Sequence, residues 1–244
     1  MVYGEMVAVM SAVRGIALTW LGHSTFKVTS AEGKTLLIDP WVAGNPSCPD
    51  AEKSIGQLDL MLCTHGHFDH IGDAVSIAKA TTPTVVAIHE LCIWMERKGV
   101  QNTSPMNKGG SQRVGDITIT MVHADHSCGI TEDDGSIVYG GEAAGYVITF
   151  ENGFRLYHAG DTAVFGDMKL IGDLYKPDLA LLPIGDRFVM SPREAALAAR
   201  LLGAPAVIPM HYGTFPLLTG TPEAFQAESP ELQVITLTPG QTLR

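Results

Sequence analysis

The segment Thr64-His65-Gly66-His67-Phe68-Asp69-His70 places three imidazoles and a carboxylate within six consecutive positions. Imidazole nitrogens and carboxylate oxygens are the ligands that zinc and similar divalent cations take from proteins. Surface histidines do not reach this density by chance, so the segment reads as a metal-binding turn. Gly66 lets the backbone bend tightly enough for the alternating side chains to converge. A bound cation can supply the nucleophile from water, so no serine or cysteine triad is needed. None is evident in the sequence.

The rest of the chain must hold this turn. At 244 residues, 45% hydrophobic and 17% charged, it can bury most of its unfolded surface in one core. Disordered, collagen-like and coiled-coil readings are excluded. No apolar run approaches the ~20 residues of a bilayer span, so no membrane-spanning role is expected. Sixteen basic against 26 acidic residues leave a net charge of −10, which repels phosphate backbones and disfavours nucleic acid as a partner. Cys48, Cys63, Cys92 and Cys128 form no C-x-x-C pair. They imply no disulfide framework, as expected of a reducing, cytoplasmic location. Residues 1–15 read as an N-terminal extension to a single domain over 16–244. Glu5 interrupts their mildly apolar stretch and no basic region precedes it, which makes a poor signal peptide and leaves Met10 as an alternative start.

Short β-rich runs alternate with loops and a few helices. Ile16–Trp20, Thr25–Thr29 and Thr35–Ile38 read as consecutive strands, and Leu58–Cys63 as a strand buried on both faces. That buried strand runs into the metal-binding turn, and a helix over 71–80 follows, with Ile71, Ala74, Val75 and Ala78 on one face. Ser191-Pro192-Arg193-Glu194 is a capping box that opens a second helix, ended by Gly203. A faint repeat runs through the chain: 82–89 resembles 204–211, 59–62 resembles 178–181, and strand 35–38 has a counterpart in 154–157. Three pairs in one order predict two related halves, that is, two β-sheets packed face to face with helices outside.

The spacing H-x-H-x-D-H resembles the signature of the metallo-β-lactamase superfamily, and the resemblance covers nearly the whole chain from about Ile16. Leu21-Gly22-His23-Ser24, Ile38-Asp39-Pro40-Trp41, Tyr157-His158-Ala159-Gly160-Asp161-Thr162 and Pro209-Met210-His211-Tyr212 narrow it. Together they resemble the bacterial metal-dependent hydrolases related to ascorbate-6-phosphate lactonases. The resemblance implies an α/β fold, an αββα sandwich of two similar halves. It also implies two divalent metal ions, zinc foremost, with manganese or nickel as alternatives. Residue by residue, His65, His67 and a later histidine would bind one ion, Asp69, His70 and His211 the other, and Asp161 would bridge both. The later histidine is His123 or His126; His126, just past the strand 117–122 and followed by serine, is the expected one. Two cations about 3.5–4 Å apart can hold a hydroxide between them near neutral pH, and Asp69 can orient the water as well as ligate.

Further residues carry weaker expectations. His23 is a candidate for substrate contact or for supporting the site from behind, weighed against simple packing, and Arg187 for contact with an anionic substrate, weighed against an ordinary surface ion pair. His158 is expected to brace a strand end, His89 to be a structural histidine and Cys128 a small buried residue. Segment 129–145, rich in glycine and acids, is expected to be a partial lid, with a hairpin between 137–139 and 146–150 as the alternative. The leading function is a binuclear hydrolase of a small ester, lactone or phosphoester. A nuclease-like phosphodiesterase and a non-enzymatic metal-stabilised binding module are the competitors. A small molecule is the expected partner, and self-association stays open.

Overall fold

A computed structural model describes residues 13–244, so most of the expected N-terminal extension lies outside the described residues. Val13 is buried, and Arg14 pairs with Asp178 at 3.1 Å. The packed body therefore already includes these positions.

Two seven-stranded sheets carry the core. The first runs, in spatial order, Thr242–Leu243, Ala17–Trp20, Phe26–Thr29, Thr35–Ile38, Leu60–Leu62, Thr84–Ile88 and Thr103–Met106. The second runs Ser111–Val114, Ile117–His123, Ala144–Thr149, Arg155–His158, Leu179–Pro183, Ala206–Met210 and Gln233–Val234. Read in these directions, each sheet has three antiparallel pairings followed by three parallel ones. The three repeated segments of the sequence fall on matching strands: 35–38 with 155–158, 60–62 with 179–183, and 84–88 with 206–210. The two-half αββα sandwich is thus the fold. Side chains tie the sheets together: the Tyr146 hydroxyl donates to the Cys63 carbonyl at 2.8 Å, and His158 Nε2 donates to the Ser24 carbonyl at 3.0 Å. Both rings are buried, where an unpaired polar group would be costly.

Helices connect the parallel strands and cover the outer faces. Pro192–Leu202 opens on the predicted capping box, with Ser191 and Glu194 bonded reciprocally, and closes on Gly203 at φ 62°. Its buried alanines and Leu202 face the second sheet. The helix expected over 71–80 is instead two pieces, Phe68–Ile71 and Ala74–Thr81. The break falls at Gly72-Asp73, where the Asp73 carboxylate accepts from the Val42 and Ala43 amides at 2.6 and 2.8 Å. That remote demand overrides the local helical periodicity. Among the described residues, no helix is long and apolar enough to cross a membrane.

Segment 129–145 is a hairpin with a different partner from the one expected. Ile137–Tyr139 pairs with Gly129–Thr131, while Ala144–Thr149 belongs to the second sheet. Glu132 accepts from Trp94 Nε1 at 2.7 Å and Lys98 Nζ at 2.5 Å, and Ile130 is buried. The hairpin is thus tied to Trp94 on the helix His89–Arg97 and to Lys98 just after it.

Candidate metal centre

Strand direction gathers the chemistry at one end of the sandwich. His23, Asp39, the His65–His70 turn, His126, Asp161 and His211 each follow the C-terminal end of a strand, and those strands all run the same way. Turning away sharply there strains the backbone: His23, Asp39 and His211 adopt φ of 56°, 51° and 55°, a region that costs non-glycine residues about 1–3 kcal/mol. Gly66 is required for a different reason from the tight turn expected. A Cβ there would lie 2.6 Å from Ile130 Cγ1, so the pinned hairpin closes against the turn itself.

Two groups of nitrogen and oxygen atoms converge. In the first, His67 Nδ1 lies 3.0 Å from His65 Nε2 and 3.3 Å from His126 Nε2. In the second, the ligand atoms of His23, Asp69, His70 and His211 all lie within 4.8 Å of one another. Asp161 Oδ2 sits between the groups, 3.0 Å from His211 Nε2, 3.2 Å from His70 Nε2, 3.7 Å from His126 Nε2 and 3.9 Å from His65 Nε2. All seven residues proposed as ligands are therefore brought together. His123 is not: it is exposed, beside Lys108 Nζ at 3.3 Å and edge-on to Phe165.

The donor set fits a divalent cation. Buried His70 Nε2, His211 Nε2, His211 Nδ1 and Asp161 Oδ1 have no hydrogen-bond partner, and His70 Nε2 and His211 Nε2 both face the Asp161 carboxylate within the cluster. Unsatisfied buried polar atoms cost about 1–3 kcal/mol each, so their concentration here marks a place for a bound ion. Partners on the far side of the rings fix which nitrogens point inward. Asp39, wholly buried, accepts from the Thr64 amide, the Thr64 hydroxyl and His70 Nδ1, each at 2.8 Å. Since the Thr64 hydroxyl donates to Asp39, its oxygen accepts from His65 Nδ1 at 3.0 Å. One carboxylate thereby turns the Nε2 lone pairs of both His65 and His70 toward the centre. Ser127 Oγ holds His67 Nε2 at 3.2 Å, leaving His67 Nδ1 to face inward.

Charge follows from the same geometry. Burial disfavours a charged His70, yet the Asp161 and Asp39 carboxylates on either side raise it well above the usual histidine range. Burial likewise pushes Asp161 up, but His211 and His70 hold it well below the carboxylate range. Asp69, raised by burial but bonded by His23, falls to about 2, so it is anionic at neutral pH.

His23 is wholly buried, which leaves support of the site rather than substrate contact of its two expected roles. Its Nε2 donates to Asp69 Oδ2 at 3.0 Å and its Nδ1 meets the Thr214 hydroxyl at 3.0 Å. It braces a ligand and has no surface for a substrate. Arg187 is exposed with its guanidinium over the Phe188 ring at 5.6 Å, and the structure does not bring it into the cluster. His158 braces its strand end, its Nδ1 accepting from the Gly160 amide at 3.1 Å. His89 is exposed at the start of its helix rather than buried as a structural histidine. The Cys128 thiol, which burial pushes up to about 11, donates to the Gly140 carbonyl.

Burial lowers His23 from 6.5 to about 4 and also lowers His65 and His158. Unfolding would restore ordinary values, so between pH 6.5 and 4 the unfolded chain binds more protons and stability falls with pH. His70, raised in the fold, is protonated in both states there and does not oppose the trend. Metal-free protein is expected to lose urea resistance steadily through this window, and a flat midpoint from pH 6.5 to 5 would contradict the neutral buried imidazoles.

Comparison with known proteins converges on one group. Residues 34–212 match the family described as "Beta-lactamase superfamily domain". The chain is 56% identical over 230 residues to a UPF0173 metal-dependent hydrolase of Koribacter versatilis, covering 94% of this chain and 98% of that protein. It is 53% identical over 239 residues to one of Rubrobacter xylanophilus, covering 96% and 99%. Among solved structures, Igni18, a metallo hydrolase from the hyperthermophilic archaeon Ignicoccus hospitalis, superposes with a TM-score of 0.82 at 36% identity, covering 93% of this chain and 97% of that one.

Proposed function

Because the chain belongs to the β-lactamase superfamily domain family and is one of its metal-dependent hydrolases, we propose that it cleaves a small ester, lactone or phosphoester at two adjacent divalent ions, zinc foremost. The position of Asp161 carries the reading. Its Oδ2 lies within 3.9 Å of four imidazole nitrogens drawn from both ligand groups, the place of a carboxylate shared between two cations. His65, His67 and His126 would hold one ion, and Asp69, His70 and His211 the other. Held by these residues, divalent ions would supply Lewis acidity, for a water nucleophile and for the scissile carbonyl or phosphoryl group.

The chain's own residues supply the rest. Asp69 is held by His23 and stays anionic, so it can orient a water by accepting its hydrogen bond. Asp39, through His70 directly and through Thr64 to His65, holds both rings by Nδ1, so that Nε2 is the nitrogen each would offer to an ion. The four cysteines are all buried and free, which supports a reducing, cytoplasmic setting.

Elemental analysis of reconstituted protein, with a panel of chromogenic esters, lactones, phosphodiesters and β-lactams under zinc, manganese and nickel, tests the proposal. About two ions per chain and turnover of an ester, lactone or phosphoester are expected; one ion or none removes the binuclear mechanism. His126→Ala is expected to lower turnover by at least about a hundredfold and to deplete one ion, whereas His123→Ala changes neither by more than about twofold. The reverse ranking would place the ligand at His123. The net charge of −10 predicts negligible RNA or DNA affinity even at about 50 mM salt, where phosphate binding is strong. Tight binding in that condition would favour nuclease chemistry.

A further inference from the structure

The two flanks of the centre differ in character. On the side of His67 and His126 the neighbour is polar, the Ser127 hydroxyl at 3.2 Å from His67 Nε2. Beside Asp69 and His211 lies a run of aromatic rings. Trp41 is edge-on to His23 at 5.2 Å and to Phe68 at 5.8 Å, and it stacks on Phe215 at 5.8 Å and 28°. Trp41 is an anchored base for this strip. It is 5% exposed, and a Cβ on Gly72 or Gly44 would meet its ring at 2.8 or 3.0 Å. Phe68 is the contrast. It immediately precedes the ligand Asp69 on the helix Phe68–Ile71, yet it is 62% exposed. Burying a phenylalanine is worth roughly 1.5–3 kcal/mol, and this one is left open at the rim of the site on a rigid aromatic base. Phe215 is half-buried on the other side of Trp41.

We propose that Phe68, Trp41 and Phe215 form an aromatic wall that receives an apolar group of the substrate, so that the enzyme selects aryl or bulky alkyl substrates over small polar ones. Such rings offer contact area with few rotors to freeze and prefer edge-to-face or offset partners. Pockets for small molecules commonly combine an apolar wall with a few polar groups at the reacting end. Here the ligand cluster is the polar end, and the wall adjoins the Asp69 and His211 side. The inference deepens the proposed hydrolase reading and rests on it for the identity of the occupant.

Its test does not require turnover. Phenylphosphonate and methylphosphonate share a metal-seeking head and differ only in the apolar group, so their affinity ratio, measured by calorimetry on the zinc-loaded protein, reads the wall alone. Native protein is expected to favour the phenyl compound by about tenfold. Phe68→Ala and Phe215→Ala should each bring that ratio toward one, while Phe68→Tyr keeps it. Leu174→Ala, at a 71% exposed leucine on the helix Met168–Tyr175, should leave the ratio untouched. Equal affinities in the native protein, or an undiminished preference in both alanine variants, would overturn the wall. A preference that behaves as expected in a protein inert toward every ester, lactone and phosphoester keeps the wall and removes the hydrolytic reading.

Discussion

Asp161→Ala is expected to empty both metal positions at once and to lower turnover by at least about a thousandfold. The carboxylate oxygen lies near nitrogens of both groups, 3.0 Å from His211 and 3.9 Å from His65. Two dications side by side repel strongly, and a shared anion is what makes their proximity tolerable. Removing it therefore weakens both sites, whereas His65→Ala should remove activity and mostly one ion. Elemental analysis separates the cases. Retention of one full equivalent in Asp161→Ala would show that the carboxylate serves a single ion. Near-native urea resistance of the metal-free variant would establish that the loss lies in binding rather than folding.

Asp39→Asn is expected to be nearly as disruptive although the side chain keeps its shape. The carboxylate accepts three donors, two from Thr64 and one from His70. An amide has one oxygen and an NH2 group that can only donate. If the oxygen faces His70, the Thr64 amide meets a second donor. If the NH2 faces His70, the imidazole must take the other tautomer and point N–H at the ion. Affinity at the Asp69, His70 and His211 position should fall by roughly 10–100-fold, and stability by about 1–3 kcal/mol. Thr64→Val is the informative partner, because it interrupts only the relay to His65 and leaves the His70 bond standing. Metal titration showing the same loss in both variants, confined to the His65 position, would rule out direct control of His70 by Asp39.

These residues also show what a linear reading can and cannot reach. The ligands of the 65–70 turn are legible because they crowd into one short segment. The two-half fold is legible because its parallel strands are buried on both faces and survive as matching apolar runs. His126, Asp161 and His211 are scattered and rest on resemblance; no spacing rule joins them until the strand ends meet. Asp39 was visible within a quoted motif, yet nothing nearby in sequence says that it faces Thr64 and His70. For His23 the sequence leaves substrate contact, support of the site and packing open, and only burial against Asp69 and Thr214 selects support. Ile137–Tyr139 is legible as a strand, but its partner Gly129–Thr131 is three residues beginning on glycine with one buried apolar side chain, which is why the pairing was assigned to 146–150 instead.

The division of the ligands between the sheets has a consequence for the life of the chain. His65, His67, Asp69 and His70 leave the first sheet, while His126, Asp161 and His211 leave the second. The centre is thus a clasp across the seam of the sandwich, and whatever occupies it stabilises the closed molecule in proportion to its free concentration. A chain made under metal starvation would keep the unpartnered polar atoms and strained strand ends of the centre with no ion to offset them, and would open more often along that seam to proteases. Its abundance in the cell would then track metal supply without any dedicated regulator, the seam itself acting as the gauge.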